Sequence, residues 1–561
     1  MVVRLAPRAI VGLAGLYWIF NVVWFWRYCG RNINADAISY IGIARHITEG
    51  NFRASLHGYW SPLISWLIAA TSFISSDRTL AARVLMLPLL AASLALVYRL
   101  THKLWGSRLL SAIAVLWFAT ARSISVFSIC FIGADLLLTA IMLVYFTQLL
   151  ECLEQPERAS RWFGLGMAHA VAFLAKAIAM PLLAFTTLTA VAWTLRKSPR
   201  RAATALLCAA AVPALVWASW GIALRAKYGV FTTGYQLHWN LIDPEWNAAQ
   251  ATGHGMLVLH DHRGTYDSYM VSDVMSPGSP LWKVKVWRGD VLRRIVHKEL
   301  TNVPVAGKEL LVLLTPGGLL ALLLCAIQLS REHRRFQARF QFAWIVTFAT
   351  AALVAAYCML VFDGRYVIPI APVLIALAVR FVLPAGWVKD LPQPKEELSS
   401  PANVWRTAAG ALLLIGLIGV QVYWASPFRT MGQDFQRSVH DSAGILKAAG
   451  ARTLVVIGIG PYPEHGVGWE AGMYAAYFAE AVVLGDTPDL PTTGNVDSVV
   501  ADTGKLNSDA VMVWGTTSDP GYSSVITALL KTHPKSTASV IRDPRRGEVG
   551  TVLSLRNEPK F

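Results

Sequence analysis

The sequence predicts a polytopic α-helical membrane protein, with about 11 transmembrane helices plus juxtamembrane helices, followed by a small C-terminal α/β domain. Three observations carry that expectation. The 561 residues are 55% hydrophobic and only 15% charged, where a soluble protein has about a quarter of its residues charged. Apolar runs of membrane-crossing length recur as far as residue 425. Beyond it the runs shorten, and strand-like stretches alternate with helix-like ones, the pattern of an α/β unit.

About 20 apolar residues in a helix cross the hydrocarbon core. Such runs lie near 9–27, 79–100, 108–122, 133–150, 162–177, 179–195, 203–222, 307–329, 341–361, 366–384 and 406–425. The N-terminal "MVVRLAPRAIVGLAGLYWIFNVVWFW" starts basic. Its apolar run is long for a signal-peptide core and is followed by no small-residue cleavage site, so it reads as a retained first span.

The run 60–75, "WSPLISWLIAATSFI", decides the topology. If it only dips into the outer interface, then Arg4 and Arg8, Lys103 and Arg108, Arg158 and Arg161, "RKSPRR", "REHRRFQAR", and Lys389 and Lys395 share the cytoplasmic side. That arrangement satisfies the positive-inside rule at each short loop, so 60–75 is read as juxtamembrane or re-entrant. The N-terminus is then cytoplasmic. The outer face receives loops 28–59 and 223–306, a short loop near 122–132, and the tail. The expected organisation is a transmembrane domain over 1–425, including the two larger outer loops, and an extracytoplasmic α/β domain over 426–561. The expected location is a cell (cytoplasmic or inner) membrane.

In the tail, "RTLVVIGIG", "AVVLGD", "AVMVWG" and "GTVLSLR" read as strands, and "GWEAGMYAAYFAEA" and "SSVITALLKTH" as helices. "GIGPYPEHG" lacks the glycine spacing of a dinucleotide fingerprint. The net charge of +16 sits in short clusters between apolar runs. It therefore points to topology and anionic membrane lipids rather than nucleic acid. The 6 cysteines are scattered, which predicts neither a disulfide framework nor a CxxC metal site.

Ionisable residues at membrane depth are costly, so they pair, line a cavity or act. Asp36 stands alone in "NADAISYIGIARHITEG", with Tyr40 four residues on and on the same helix face. His57, Asp135, Lys176, Asp363 and Arg365 each fall beside the outer end of an apolar helix. Each has a structural alternative. Asp36 or Asp135 can cap a helix, Lys176 can snorkel from a helix end, and Arg365 can pair with Asp363. "HGMLVLHDHRGTYDSYMVSD" on the long outer loop gathers His254, His260, Asp261, His262 and Asp267, in a spacing that matches no established zinc site.

Taken in order, these segments resemble the GT-C glycosyltransferases, in particular protein O-mannosyltransferase relatives, aminoarabinose transferases and arabinofuranosyltransferase-type members. The acidic first-loop motif is matched by Asp36, Tyr40, Ala44, Arg45 and Gly50, and the "GY-[TW]-SPL" stretch by Gly58, Tyr59, Trp60, Ser61, Pro62 and Leu63. The acid opening the fourth span is matched by Asp135, the "FL-x-K" turn by Lys176, and "RY-x-x-P-x-x-P" by Arg365, Tyr366, Pro369 and Pro372. The resemblance covers roughly residues 1–385. Two features depart from it: Ala37 stands where the family often has Glu, and Ser61 where aminoarabinose transferases carry Lys.

The resemblance implies transfer of a sugar from a polyprenyl-phosphate donor to a hydroxyl of a glycan, lipid or protein acceptor at the outer face of the membrane, with inversion. Asp36 would be the general base, and Asp135 would orient the acceptor, pair with a cation or help to bind a divalent ion. Lys176 and Arg365, then Arg122 and His57, would hold the donor phosphate. Tyr40, Tyr59, Trp60 and Tyr366 would line the substrate site, with His262 and Arg263 on a covering loop. No cofactor is required and no metal ligand is assigned, although the chemistry admits a divalent metal. The competing reading is a transporter or flippase for lipid-linked sugars, which would show repeated halves and charge at mid-membrane; neither is evident in the sequence.

Overall fold

A computed structural model describes residues 2–29, 33–75, 77–121, 130–196, 198–234, 236, 258–259, 289–331, 337–359, 364–383, 401–425, 435–458, 461–462, 466–487, 496–516, 520–543 and 547–555. The membrane part contains α1 (Val2–Cys29), α2 (Ala35–Thr48), α3 (Phe52–Ser55), α4 (Pro62–Thr71), α5 (Arg78–Trp105), α6 (Arg108–Thr120) and α7 (Ala134–Glu154). It continues with α8 (Ala159–Ala175), α9 (Ala179–Leu195), α10 (Pro199–Tyr228), α11 (Gly289–Arg331), α12 (Gln337–Cys358), α13 (Ala371–Ala378) and α14 (Pro401–Ala425).

Among the described residues six helices are long and apolar enough to cross a membrane: α1, α5, α7, α10, α11 and α12. They differ in setting. Most of α7 is buried, whereas α1 turns Leu13, Leu16, Ile19, Phe20 and Val23 outward. The bundle is therefore built around α7, and α1 lies at its edge. Where α8 crosses α10, a Cβ on Gly166 would come within 2.6 Å of the Ala209 carbonyl oxygen, so only glycine allows that approach.

Two short helices are set by proline. Pro62 occupies the first turn of α4, which at ten residues reaches about 15 Å, half the hydrocarbon thickness. The expected span at 366–384 is corrected. A 3-10 turn at Gly364–Val367 gives way to α13, eight residues long, and a second 3-10 turn at Val379–Phe381. Pro369 and Pro372 lack the N–H needed to continue a helix and disfavour it in the residue before them, so the apolar run breaks where its composition reads as continuous. This break places Arg365 in a turn rather than on a helix side. A second correction concerns the cysteines: Cys130 is disulfide-bonded, a pairing that scattered positions in a sequence do not disclose.

The C-terminal part is α/β, as its alternating pattern predicts. It contains α15 (Phe435–Ala448), α16 (Gly468–Ala479), α17 (Val496–Lys505) and α18 (Pro520–Thr532). Strands β1 (Val258–Leu259), β2 (Thr453–Gly458), β5 (Val482–Thr487), β6 (Ala510–Trp514), β8 (Gly547–Ser554) and β7 (Thr537–Asp543) form one sheet in the order β1-β5-β2-β6-β8-β7, beside a hairpin of β3 (Pro461–Tyr462) and β4 (Gly466–Val467). The central β2 runs parallel to β5 and β6, and Val455, Val456 and Ile457 are fully buried, as helices on both faces require. Edge strand β1 comes from the long loop 223–306 and pairs antiparallel with β5. That loop is thus joined to the tail by backbone hydrogen bonds.

Candidate active site

The tail domain packs onto the same end of the membrane bundle as α2. Residues of α2, α4, the first turns of α5, α15, α16 and β2 form one continuous apolar cluster, and the Tyr477 hydroxyl lies 2.9 Å from that of Thr79. Between them a cleft of about 250 Å³ is lined by Arg45, Asp77, Arg78, Tyr477 and Glu480. Burial pushes the Tyr477 phenol up to about 12, against a smaller opposing effect of the Thr79 hydrogen bond.

Asp36 stands in the first turn of α2, but it is not the cap. Asn34 occupies the N-cap position, and its side chain turns away from the helix. It donates from Nδ2 to the Ile132 carbonyl (3.1 Å) and accepts the Ile132 N–H on Oδ1 (2.9 Å). This two-way clasp fastens the start of α2 to the segment that opens α7, so Asp36 and Asp135 are brought to neighbouring helix ends. The capping alternative for Asp36 is corrected accordingly: its carboxylate is engaged by Arg365.

The four charges meet there. Arg365 Nη1 lies 2.5 Å from Asp36 Oδ2, and its Nε is 4.0 Å from Asp135 Oδ2. Lys176 Nζ lies 2.5 Å from Asp135 Oδ1. Their side chains are between 10% and 23% exposed, so the pairs are largely withdrawn from solvent yet still reachable. The helix ends suit them. Asp135 lies in the first turn of α7, near the positive pole, and Lys176 ends α8, near the negative one. The Ser61 hydroxyl accepts the Ala177 N–H at 3.0 Å, which ties the turn after α8 to the 57–61 segment.

Aromatic rings surround the charges. Tyr357 and Tyr366 stack with centroids 4.1 Å apart, and the Lys176 ammonium lies 4.5 Å from the Tyr366 ring. The Arg365 guanidinium covers the Phe131 ring at 4.4 Å. A cation over a ring face is attracted to it without spending an N–H donor on the contact, so the rings help to fix the orientation of both cations. Tyr40 is buried against Trp60, which meets Tyr59 edge-on. Burial first, and then the Asp36 charge, holds the Tyr40 phenol well above its ordinary value, so it remains protonated.

Of the residues singled out in the sequence, Asp36, Asp135, Lys176, Arg365 and Tyr366 lie together, with Tyr40, Tyr59 and Trp60 forming the adjoining aromatic wall. His57 is buried in a different role: its Nδ1 accepts from the Tyr59 and Trp60 backbone N–H groups and shapes that turn. Arg122, His262, Arg263 and Asp363 lie outside the described residues, as do His254, His260, Asp261 and Asp267. Asn34, Phe131 and Tyr357 were not foreseen. Phe131 and Asn34 sit within five residues of a motif acid, but Tyr357 has no signal beyond its place at the end of an apolar run.

Among the described residues no group of three or more His, Cys, Asp or Glu could hold a metal ion, and each carboxylate of the cluster already closes on a cation. Two carboxylates are nonetheless enough for a divalent ion that takes its other ligands from a substrate phosphate and water.

Comparisons place this architecture among known structures. No family model and no curated protein matches the chain. The ArnT of Cupriavidus metallidurans, solved bound to undecaprenyl phosphate, matches with a TM-score of 0.54 at 14% identity over 98% of each chain. The Archaeoglobus fulgidus oligosaccharyltransferase complexed with Zn and sulfate matches with a TM-score of 0.54 at 13% identity, over 90% of this chain and 68% of that one. The oligosaccharyltransferase AglB of the same archaeon, in complex with an inhibitory peptide and a dolichol-phosphate, matches with a TM-score of 0.53 at 13% identity, over 99% and 75%. What the chain shares with these membrane-protein structures is the overall fold.

Proposed function

We propose that the chain is a membrane glycosyltransferase that moves a sugar from a polyprenyl-phosphate carrier to an acceptor hydroxyl on the outer side of a cell membrane. One observation carries the reading: two carboxylates and two cations, drawn from four distant segments, converge in a partly exposed cluster at one end of an apolar bundle. The likeness in fold to proteins solved with undecaprenyl phosphate and dolichol-phosphate supports the choice of donor.

In the transfer, the acceptor oxygen forms a bond to the anomeric carbon while the bond from that carbon to the phosphate oxygen breaks. The bonding pair stays with the departing polyprenyl phosphate, and the hydroxyl proton goes to the Asp36 carboxylate. Direct displacement from the opposite face inverts the anomeric centre. Arg365 holds the Asp36 carboxylate, which has to be released before it can take the proton. An arriving phosphodiester offers Arg365 and Lys176 a competing anion, and their shift toward it frees Asp36 as the leaving group gains charge. Asp135 positions both cations and helps to orient the acceptor. The partly exposed Tyr59 and Tyr366 offer their rings to the sugar, and the buried Tyr40 and Trp60 form the wall behind Tyr59.

The domain division at residue 425 and the outward placement of the site belong to the same proposal. The Cys130 disulfide supports the outward side, since such bonds persist in oxidising compartments. The deciding experiment is mass spectrometry of outer-envelope glycans from cells with and without the protein, followed by transfer assays on the reconstituted chain with the donor so identified. Loss of one sugar addition, restored by the wild-type chain and not by Asp36→Asn, is the expected result. Unchanged glycans together with donor translocation by both proteins would favour a flippase.

A further inference from the structure

Away from the charge cluster, α1, α5 and α6 enclose a groove of about 880 Å³. Its apolar wall is Val11, Ala14, Gly15 and Trp18 of α1, Ala91, Leu94, Ala95 and Tyr98 of α5, and Val115 of α6. At one end stand Arg8, His102 and Arg108, and no acidic residue lines it. Among the described residues no carboxylate comes within 4.0 Å of either guanidinium, whereas the neighbouring Lys103 pairs with Glu151 and Glu154. We infer that this groove binds one anionic glycerophospholipid, its acyl chain along the apolar wall and its phosphate between Arg8, Arg108 and His102.

Three relationships identify that occupant. Arg8 to Trp18 and Ala91 to His102 each span ten or eleven residues of helix, about 15–16 Å, the depth of one leaflet of a core about 30 Å thick. The three helices alternate in direction, yet the basic residues of all three fall at the same end: the start of α1, the finish of α5 and the start of α6. A polar head above a single-leaflet apolar slot is the shape of a membrane lipid, and a partner helix would not call for cations at one end only. That end is opposite to Asp36, which follows the finish of α1. A carrier whose phosphate must reach Arg365 cannot put the same phosphate here, so the occupant is a lipid of the other leaflet and not the donor.

The test is native mass spectrometry of the full chain in detergent, titrated with palmitoyl-oleoyl phosphatidylglycerol or with the phosphatidylcholine of the same chains. One phosphatidylglycerol should be retained in preference to phosphatidylcholine. A Cβ on Gly15 meets nothing within 4 Å, so Gly15→Phe should fill the groove without disturbing the bundle and abolish retention. Arg8→Gln with Arg108→Gln should weaken retention about 30-fold, on the scale of two basic residues at a membrane surface. Equal retention of both lipids, undiminished retention in the Arg pair variant, or a dimer that Gly15→Phe dissociates would each overturn the inference. Lipid-free melting of every variant checks folding, and if Gly15→Phe fails that check the Arg pair decides. Failure here leaves the transfer reading untouched, because no residue of the charge cluster lines the groove.

Discussion

The Asp36 carboxylate and the Arg365 guanidinium, 329 residues apart in sequence, meet at 2.5 Å at the mouth of the bundle. That pair joins the proposed base to the proposed phosphate ligand, so the two roles are linked through one ion pair. Asp36→Asn keeps the shape of the side chain and leaves Arg365 beside Asp135. Sugar transfer by the reconstituted chain should fall about 10²- to 10⁴-fold, the usual contribution of a positioned base. The melting temperature should change little. Wild-type turnover would remove Asp36 from the chemistry.

Lys176 and Asp135 form a second pair, only 15% and 10% exposed, and a stranded partner should be costly. Lys176→Met should destabilise the chain, but by less than the about 3–5 kcal/mol of a buried charge left wholly unpaired, because Arg365 stays 4.0 Å from Asp135. Adding Asp135→Asn should recover much of that loss although activity stays low. Melting curves of the two single variants and the double variant give the coupling; additive losses would mean that the two groups act independently.

Much of this site could be read from the sequence because charge in apolar surroundings is conspicuous: Asp36, Asp135, Lys176 and Arg365 each interrupt a hydrophobic segment. Their pairing could not be. Asn34 holds α2 to α7 through the backbone of Ile132, and a backbone partner 98 residues away leaves no pattern. The run 366–384 was misleading for the opposite reason, since its composition is that of a span while Pro369 and Pro372 end the helix. The tail strands β2, β5, β6 and β8 are apolar enough to recognise, but β1 is two residues of a long loop and exists as a strand only through its partner β5.

The proposed outward placement of site and tail predicts where reporters will be active. Fusions after Asp77 and after Gly450 should both report the outer side, because α5 begins and the tail docks at the same end as Asp36. In intact cells Cys130 should resist maleimide until a reductant is added, as its disulfide requires. A cytoplasmic signal at Gly450 would invert the topology and the site with it.

Docking of the tail should depend on pH only at the alkaline end. The Tyr477 phenol, pushed up to about 12 by burial, is a raised acid. Its contribution is therefore complete below the unfolded value of about 10 and is lost as pH rises through about 12. The protection factor of the α16 amides, taken relative to their intrinsic base-catalysed exchange, should be flat from about pH 6 to 9. Tyr477→Phe should raise exchange there by roughly the worth of one hydrogen bond, about 1 kcal/mol, with transfer activity reduced less than by Asp36→Asn.

The Arg365 guanidinium must be held in place as well as present, and Phe131 is the ring that supports it. Gly133 precedes α7 in an extended conformation open to any residue, so its requirement is space rather than backbone freedom. A Cβ there would come within 2.8 Å of the Phe131 ring, and that ring carries the Arg365 guanidinium at 4.4 Å. Gly133→Ala should therefore displace Phe131 and, through it, Arg365, with no charged group removed. Because a 1 Å misplacement can cost about 100-fold in rate, kcat should fall by at least tenfold while the protein still folds. Phe131→Leu would vacate the contested volume, so the double variant should recover part of the activity lost in Gly133→Ala. If Gly133→Ala instead turns over like the wild type, the ring is a passive neighbour and Arg365 takes its orientation from Asp36 and Asp135 alone.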